Sequence, residues 1–425
     1  MSEHIQSPAF AAEARHPKFP NAFTRSRKLP LPTLVAALCG FRGGSVQSEL
    51  DSFFAHLSGE CADAGLLRHV SDRAFAKARA KLHVPALWDL NARLIESMQE
   101  QGLLSLWKGH RLVCADATVL APAQRACHRT RSLAAPSQRA FGLYLPGNEV
   151  MLHVAVGPES EGERQMLFDQ LDRLRPGDVL VLDRGYPATW LVQLLYQRGI
   201  AFVIRCDSTH SWKAARELLR KTTEGDGRGQ SADERWVYLP TTSADKVATW
   251  ELDGPAQMRV RLERHISSTG RVRVLVTSLD EQAASAAELG ELYHGRWRIE
   301  EAFKRLKHRV GLESVSGLSQ HALLVDVAAK VLADNMASLL NRSVDLGNQD
   351  DEAVVSRKVN RATAAKALSR CIRVLLLNIE DLALLIRDWA AMMGRSLIRH
   401  VKGRIQPRRS TRYKPHPSQG YKRAA

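Results

Sequence analysis

Apolar residues between Leu31 and Glu100 recur at spacings of three and four, through Leu34, Val35 and Leu38 and then Phe53, Phe54 and Leu57, which predicts helices. Within this region Ser71 precedes Asp72-Arg73-Ala74-Phe75-Ala76-Lys77-Ala78-Arg79-Ala80-Lys81-Leu82 as a capping residue, and Lys77, Arg79 and Lys81 surround a short helix. At Arg111 the texture changes. Leu112-Val113-Cys114-Ala115-Asp116-Ala117-Thr118-Val119-Leu120 reads as a buried strand with an aspartate at its centre. Strand-like runs follow at 141–145 and 149–156, and a helical pattern runs from Gly162 to Leu174. The apolar run Val179-Leu180-Val181-Leu182 predicts a central strand, ended by the turn residues Asp183-Arg184-Gly185-Tyr186-Pro187. A helix over Thr189–Gln197 and a strand over Ala201–Arg205 complete the order β-β-β-α-β-α-β.

From Asp207 to Asp280 short alternating runs at 235–239, 247–252, 258–263 and 271–279 predict a mainly β insertion. Next comes a single predicted helix, Glu291-Leu292-Tyr293-His294-Gly295-Arg296-Trp297-Arg298-Ile299-Glu300-Glu301-Ala302-Phe303-Lys304-Arg305-Leu306-Lys307. At 3.6 residues per turn Tyr293, Arg296, Glu300, Lys304 and Lys307 share one stripe, and Ile299, Phe303 and Leu306 form a second, apolar one that faces the core. Leu323, Leu324, Val327 and Val331, then Leu375, Leu382, Leu384 and Leu385, predict further helices packed on the core, with Asp350-Asp351-Glu352 in the loop between them. From Arg395 to Ala425 there are ten Lys/Arg and no Asp/Glu, a composition expected to stay unstructured until it meets a polyanion.

Charge changes the picture from a generic α/β protein to one with a polyanionic partner. The 425 residues carry 61 Lys+Arg against 45 Asp+Glu, a formal +16 with a pI near 9.8. Nucleic acid is the first candidate. A membrane is the second, but the most apolar stretch, Leu323 to Leu340, is interrupted by Asp326, Lys330 and Asp334. The first twenty residues contain no continuous apolar run of a secretory signal, so a cytoplasmic location is expected. Six widely spaced cysteines, with no Cys-x-x-Cys, suit reduced and mostly buried thiols rather than a zinc site.

Three acids stand out on local grounds. An aspartate in the middle of a buried strand is costly unless paired, protonated or holding a metal, so Asp116 is a candidate ligand; an Asp at a bulge is the bland alternative. Asp183 follows a central strand, and the carboxyl edge of such strands is where ligands bind. Glu300 sits among bases one helical turn away on either side, either as a functional group or as part of a solvated helix laced with ion pairs.

The spacing Tyr293-x2-Arg296-x3-Glu300-x6-Lys307 resembles the signature helix of DDE insertion-sequence transposases of the fourth insertion-sequence family. Four fixed positions match by chance about once in 10⁵ starts. The resemblance implies an α/β fold with a ribonuclease-H-like catalytic core and a mainly β insertion, flanked by helical N- and C-terminal regions. Residues 1–30, poor in periodicity and ending in Arg25-Ser26-Arg27-Lys28-Leu29-Pro30, read as a flexible basic arm or a solubilising tail. The resemblance implies a helical DNA-binding domain over 31–108 and a catalytic domain over 109–340 with its insertion at about 207–280. C-terminal helices over 341–394 and a basic tail over 395–425 complete the layout. Asp116, Asp183 and Glu300 take the three acidic places of that core, as catalytic residues and as ligands of two Mg²⁺ ions, with Mn²⁺ able to substitute. Tyr293, Arg296, Lys304 and Lys307, with Arg184 beside Asp183, would hold the DNA end. Neutralising Glu300 and Glu301 is the alternative use of these bases.

Related enzymes bind double-stranded DNA at terminal inverted repeats through a helical N-terminal region, which the capped helix after Ser71 resembles, and act on target DNA. The implied assembly is a homodimer in the DNA complex, nucleoid-associated through DNA. Relatives stack a tryptophan of the last insertion strand on a flipped base, whereas Arg271-Val272-Arg273-Val274-Leu275-Val276-Thr277-Ser278 has no aromatic residue. Trp236 and Trp250 are the available substitutes, and core packing is the more ordinary use of either. The same acids would also serve a metal-dependent nuclease without strand transfer, and a DNA-binding derivative without catalysis would keep the bases.

Overall fold

A computed structural model describes residues 1–24, 29–57, 70–121, 137–220, 234–266, 272–347, 355–377 and 381–401. The expectation of a flexible arm over 1–30 is corrected over 1–24, where short helices at Ser2–Ile5 and Pro8–Glu13 bury Ile5 and Phe10. Arg25–Lys28, Asp350-Asp351-Glu352 and the residues beyond Val401 lie outside the described residues. The chain divides into two compact units, one of residues 104–118 and 139–302 and one of residues 1–103, 119–138 and 303–425.

The first of these is built on an eight-stranded mixed sheet. Its strands are β1 (Leu112–Leu120), β2 (Gln138–Leu145), β3 (Val150–Pro158), β4 (Val179–Leu182), β5 (Ala201–Arg205), β6 (Glu234–Tyr238), β7 (Arg259–Ile266) and β8 (Val272–Thr277), in the order β3-β2-β1-β4-β5-β8-β7-β6. β1, β4 and β5 run parallel, with Val113 opposite Leu180 and Leu180 opposite Phe202. A parallel centre covered on both faces demands continuous apolar runs, and all four residues of β4 are buried. The strand and helix order is the one expected of the ribonuclease-H-like core. The expected helix over 162–174 is shorter, Glu163–Phe168 followed by a 3₁₀ turn at Leu171–Arg173.

The insertion extends the same sheet, since β8 pairs antiparallel with β5, β7 with β8 and β6 with β7. One expected strand is corrected: residues 247–252 form the end of a helix, Ala244–Thr249, and the turn after it. Ser243 at the N-cap position and Asp245 in the first turn start that helix. The alternation that mimicked a strand arises because Trp250 and Leu252 turn inward; Trp250 stacks on Trp190 with ring centroids 3.7 Å apart. Trp250 therefore packs the core, while Trp236 lies at the surface beneath the Arg259 guanidinium.

Helices number α1 (Ser2–Ile5), α2 (Pro8–Glu13), α3 (Leu31–Gly40), α4 (Val46–Leu57), α5 (Asp72–Arg79), α6 (Val84–Glu100), α7 (Glu163–Phe168), α8 (Thr189–Gln197), α9 (Lys213–Arg220), α10 (Ala244–Thr249), α11 (Ala286–Gly295), α12 (Trp297–His308), α13 (Gln320–Leu340), α14 (Arg361–Leu377) and α15 (Leu382–Gly394). In the helical unit α13 packs on α3 and α6, and α14 on α3. α5 is capped as expected, with the Ser71 hydroxyl accepting from the Ala74 N–H. Arg79, however, is buried and donates to the Ser316 hydroxyl, so it does not belong to an exposed basic face.

The polar interruptions of α13 turn out to be fasteners. Asp326 accepts from the Ser316 backbone and hydroxyl, Lys330 donates to the carbonyls of Gly311 and Ser314, and Asp334 receives a bidentate contact from Arg305 of α12. Buried charges persist only when paired in this way. Among the described residues, no helix is long and apolar enough to cross a membrane.

The structure adds a second sheet. β9 (Val355–Lys358) pairs antiparallel with β10 (Ile398–Val401), so the expectation of an unstructured tail from Arg395 onward is corrected over Ile398–Val401. The β-branched Ile398 and Val401 within the basic composition favour a strand there.

Candidate active site

The signature region is two helices with a break at Arg296, not one continuous helix. The Arg296 N–H reaches the Tyr293 carbonyl and the Ile299 N–H reaches the Arg296 carbonyl, both three residues back, a 3₁₀ tightening just after Gly295. α11 starts with a capping box in which Ser285 and Glu288 satisfy each other's backbone N–H groups. The expected core stripe is in place, with Ile299, Phe303 and Leu306 buried.

The break directs Arg296 inward, where its side chain keeps only 8% of its exposure. Its Nη1 lies 3.0 Å from Oδ2 of Asp116 on β1, and its Nη2 lies 2.7 Å from Oε1 of Glu300 on α12. One guanidinium thus gathers two of the three acids. The third, Asp183, sits just past β4 and accepts a 2.7 Å hydrogen bond from the Tyr293 hydroxyl, with Arg205 Nη1 at 3.9 Å. Tyr293 is buried, and the guanidinium carbons of Arg296 and Arg273 lie 5.9 and 5.7 Å from its ring centroid.

Electrostatics separate the acids. Burial pushes the Asp116 carboxyl up to about 6, reinforced by Glu300 and opposed by Arg296 and the Ala117 N–H. Asp183 is held below the usual carboxylate range: burial acts against ionisation, but the Arg184 N–H, the Tyr293 hydroxyl, Arg296 and Arg205 together outweigh it. Burial and the adjacent Asp183 raise the Tyr293 hydroxyl to about 12, so it stays a donor at neutral pH. Arg296 is stabilised in its charged form; burial works against the charge, but Asp183, Tyr293 and Asp116 prevail.

The folded-state value of Asp116 lies above its ordinary 3.8, so between about 3.8 and 6 the folded chain binds more protons than the unfolded chain. Stability contributed by this group is therefore lost as pH rises through that window. Asp116→Asn removes the effect, and the variant's thermal midpoint minus that of the wild type should climb between about pH 4 and 7 in metal-free buffer. Calorimetry giving a flat or falling difference would show that the Arg296 contact, not burial, governs Asp116.

Carboxylate oxygens suit a hard divalent cation, and two of them already share one positive charge. As the side chains stand, no group of three or more His, Cys, Asp or Glu among the described residues is close enough to hold an ion. Drawing Asp116, Asp183 and Glu300 around a metal requires the guanidinium between Asp116 and Glu300 to withdraw. The donor set fits the ion; the rotamer of Arg296 opposes it.

The remaining expected bases are distributed. Arg184 lines a cavity of about 440 Å³ with Arg205, Cys206 and the turn at Asp207–His210. Lys304 is exposed on α12 one turn beyond Glu300. Lys307 donates to the Val119 carbonyl near the end of β1 and lies 3.6 Å from Glu313. Sequence reasoning missed Arg205 and Arg273. Arg205 ends β5 as Asp183 follows β4, so its place at the carboxyl edge of a central strand was the available signal. Arg273 carried none, because a cation on an alternating strand points to solvent as often as to a tyrosine. Cys39, Cys114 and Cys206 are buried thiols pushed up to about 12 by burial.

Residues 107–336, more than half of the chain, match the family described as the transposase DDE domain. The chain belongs to that family. It is also 23% identical over 206 residues to a Sinorhizobium fredii protein named "Putative transposase y4zB", covering 45% of this chain and 54% of that protein. The chain thus spans about half the length of this curated relative. Among solved structures, a cryo-EM structure of a piggyBac transposase synaptic complex with hairpin DNA aligns over 92% of this chain and 81% of that one, at a TM-score of 0.41 and 10% identity. The family match includes all three acids and the whole of α11 and α12.

Proposed function

We propose that this transposase-family chain binds the terminal inverted repeats of an insertion sequence, cleaves the DNA at the element ends and joins the 3′ ends to target DNA. The observation that carries the reading is Arg296 holding Asp116 and Glu300 together, while Tyr293 of the same signature holds Asp183. Asp116, Asp183 and Glu300 are the residues that would hold Mg²⁺, or Mn²⁺ in its place. Two such ions, when bound, activate the attacking oxygen and stabilise the leaving oxygen of an in-line phosphodiester displacement.

The chain's own cations bind and orient. Arg296 leaves the acids for the terminal phosphate, exchanging carboxylate partners for a phosphate with the same bidentate preference. Lys304, Lys307 and Arg184 supply further backbone contacts, which fix register rather than read sequence. Tyr293 remains a proton donor, keeping Asp183 oriented and ionised. In this reading residues 31–108 bind the element end, residues 109–340 do the chemistry, and two copies act together on paired ends.

The test is joining. Incubated with Mg²⁺, the full chain should transfer a labelled 3′-OH end of its flanking repeat into plasmid DNA. Cleavage without joining would reduce the protein to a nuclease, and repeat binding without either reaction would make it a DNA-binding derivative.

A further inference from the structure

β9 and β10 form a two-stranded ribbon whose register sets Arg357 directly opposite Arg399, Lys358 opposite Ile398, Ser356 opposite His400 and Val355 opposite Val401. Directly opposite residues of an antiparallel pair project from the same face, with Cβ atoms about 4.5–5.5 Å apart. Two guanidinium groups are therefore side by side on one face, and both residues are exposed. A two-stranded sheet is marginal on its own, so the ribbon's exposed side chains can serve a partner rather than a core.

The surroundings compound the charge. From Ala353 to Ile379 the chain has six Lys/Arg and no Asp/Glu, and from Trp389 to its last residue it again has no acid. The two strands, more than thirty positions apart in sequence, thus each lie in an acid-free stretch and are brought together by the antiparallel pairing. Exposed Val355 and Ile398 add apolar surface to the ribbon. A positively charged two-stranded ribbon matches one chemical class of partner well: duplex DNA, whose major groove admits such a ribbon and whose phosphates take paired arginines.

We propose that the ribbon of Val355–Lys358 and Ile398–Val401 is a DNA-contacting arm, with Arg357 and Arg399 each neutralising a backbone phosphate. The inference rests on the DNA-acting reading above and deepens it by adding a binding surface outside the catalytic sheet. Phosphate contacts carry no base specificity, so the arm serves flanking or target duplex as well as the element end.

The experiment measures binding of the full chain to a fluorescein-labelled duplex of unrelated sequence, by anisotropy across a salt series. Arg357→Gln/Arg399→Gln should weaken binding at least about tenfold near physiological salt and reduce the slope of log K against log salt by about 1.8, since each neutralised phosphate contributes roughly 0.9 to that slope. Arg357→Lys/Arg399→Lys should keep most of the slope. An unchanged slope in Arg357→Gln/Arg399→Gln, with the wild type binding normally, overturns the arm. If the wild type itself shows no salt-dependent duplex binding, the DNA-acting reading fails instead. Should Arg357→Gln/Arg399→Gln unfold, phenylglyoxal labelling of the wild type decides: duplex DNA protects Arg357 and Arg399 if the arm binds, and leaves both reactive if it does not.

Discussion

Asp116→Asn, Asp183→Asn and Glu300→Gln should each abolish Mg²⁺-dependent end cleavage, by at least about a thousandfold in single-turnover rate, while leaving affinity for the terminal duplex within a few-fold. The reason lies in charge. Each substitution is nearly isosteric but removes one of three negative charges around Arg296, and a carboxamide cannot replace a carboxylate toward a hard divalent ion. A thousandfold loss is about 4 kcal/mol of transition-state stabilisation, a reasonable scale for a ligand on which attacking and leaving oxygens both depend. The variants differ in what they do to the resting protein. Asp116→Asn relieves a burial cost, whereas Asp183→Asn weakens the Tyr293 hydrogen bond that helps keep that acid ionised. Near-normal nicking by any one of the three would remove that residue from the assignment.

Arg296→Ala should lower the single-turnover rate on a pre-nicked end by about ten- to a hundredfold, the scale of one charge-assisted phosphate contact worth roughly 1.5–3 kcal/mol. Unlike a base on an exposed helix face, Arg296 is buried against two carboxylates, so the same substitution should also lower the metal-free thermal midpoint. The two acids then face each other without a counter-charge. Divalent ion supplies one, and adding Mn²⁺ should raise the midpoint of Arg296→Ala more than that of the wild type, in which the guanidinium competes for the same oxygens. Lys307→Ala, which removes the ammonium held by the Val119 carbonyl and Glu313, should slow the reaction with no such metal-dependent recovery. A rate for folded Arg296→Ala equal to that of the wild type would make the residue purely structural. An equal Mn²⁺ shift in both proteins would show that it does not compete with metal.

Much of the site could be read from single side chains. An aspartate centred in an apolar strand and another at the end of one violate the local pattern, and such violations are where function is expected. The helical stripe from Tyr293 to Lys307 was visible because spacing at three and four survives a small distortion: the 3₁₀ break at Arg296 tightens the path but leaves the apolar residues of α12 facing inward. Strands β4 and β5 and helix α8 were legible for a related reason, since a buried parallel strand must be continuously apolar. Residues 247–252 misled because inward-turning residues after a short helix produce the same alternation as a half-buried strand.

What the sequence determined by itself is the set of acids, the bases interleaved with them, the order of elements and a surplus of positive charge. Those follow from local periodicity and from the cost of placing charge in apolar surroundings, which act over a few residues. What only the tertiary structure decided is the pairing of those charges. That Arg296 binds Asp116, 180 positions earlier, that Tyr293 binds Asp183, and that Arg357 meets Arg399 across a ribbon depend on strand register and helix phase between segments distant in sequence. Ion pairs form wherever folding brings opposite charges together, and no local pattern encodes which of many lysines, arginines and acids will meet.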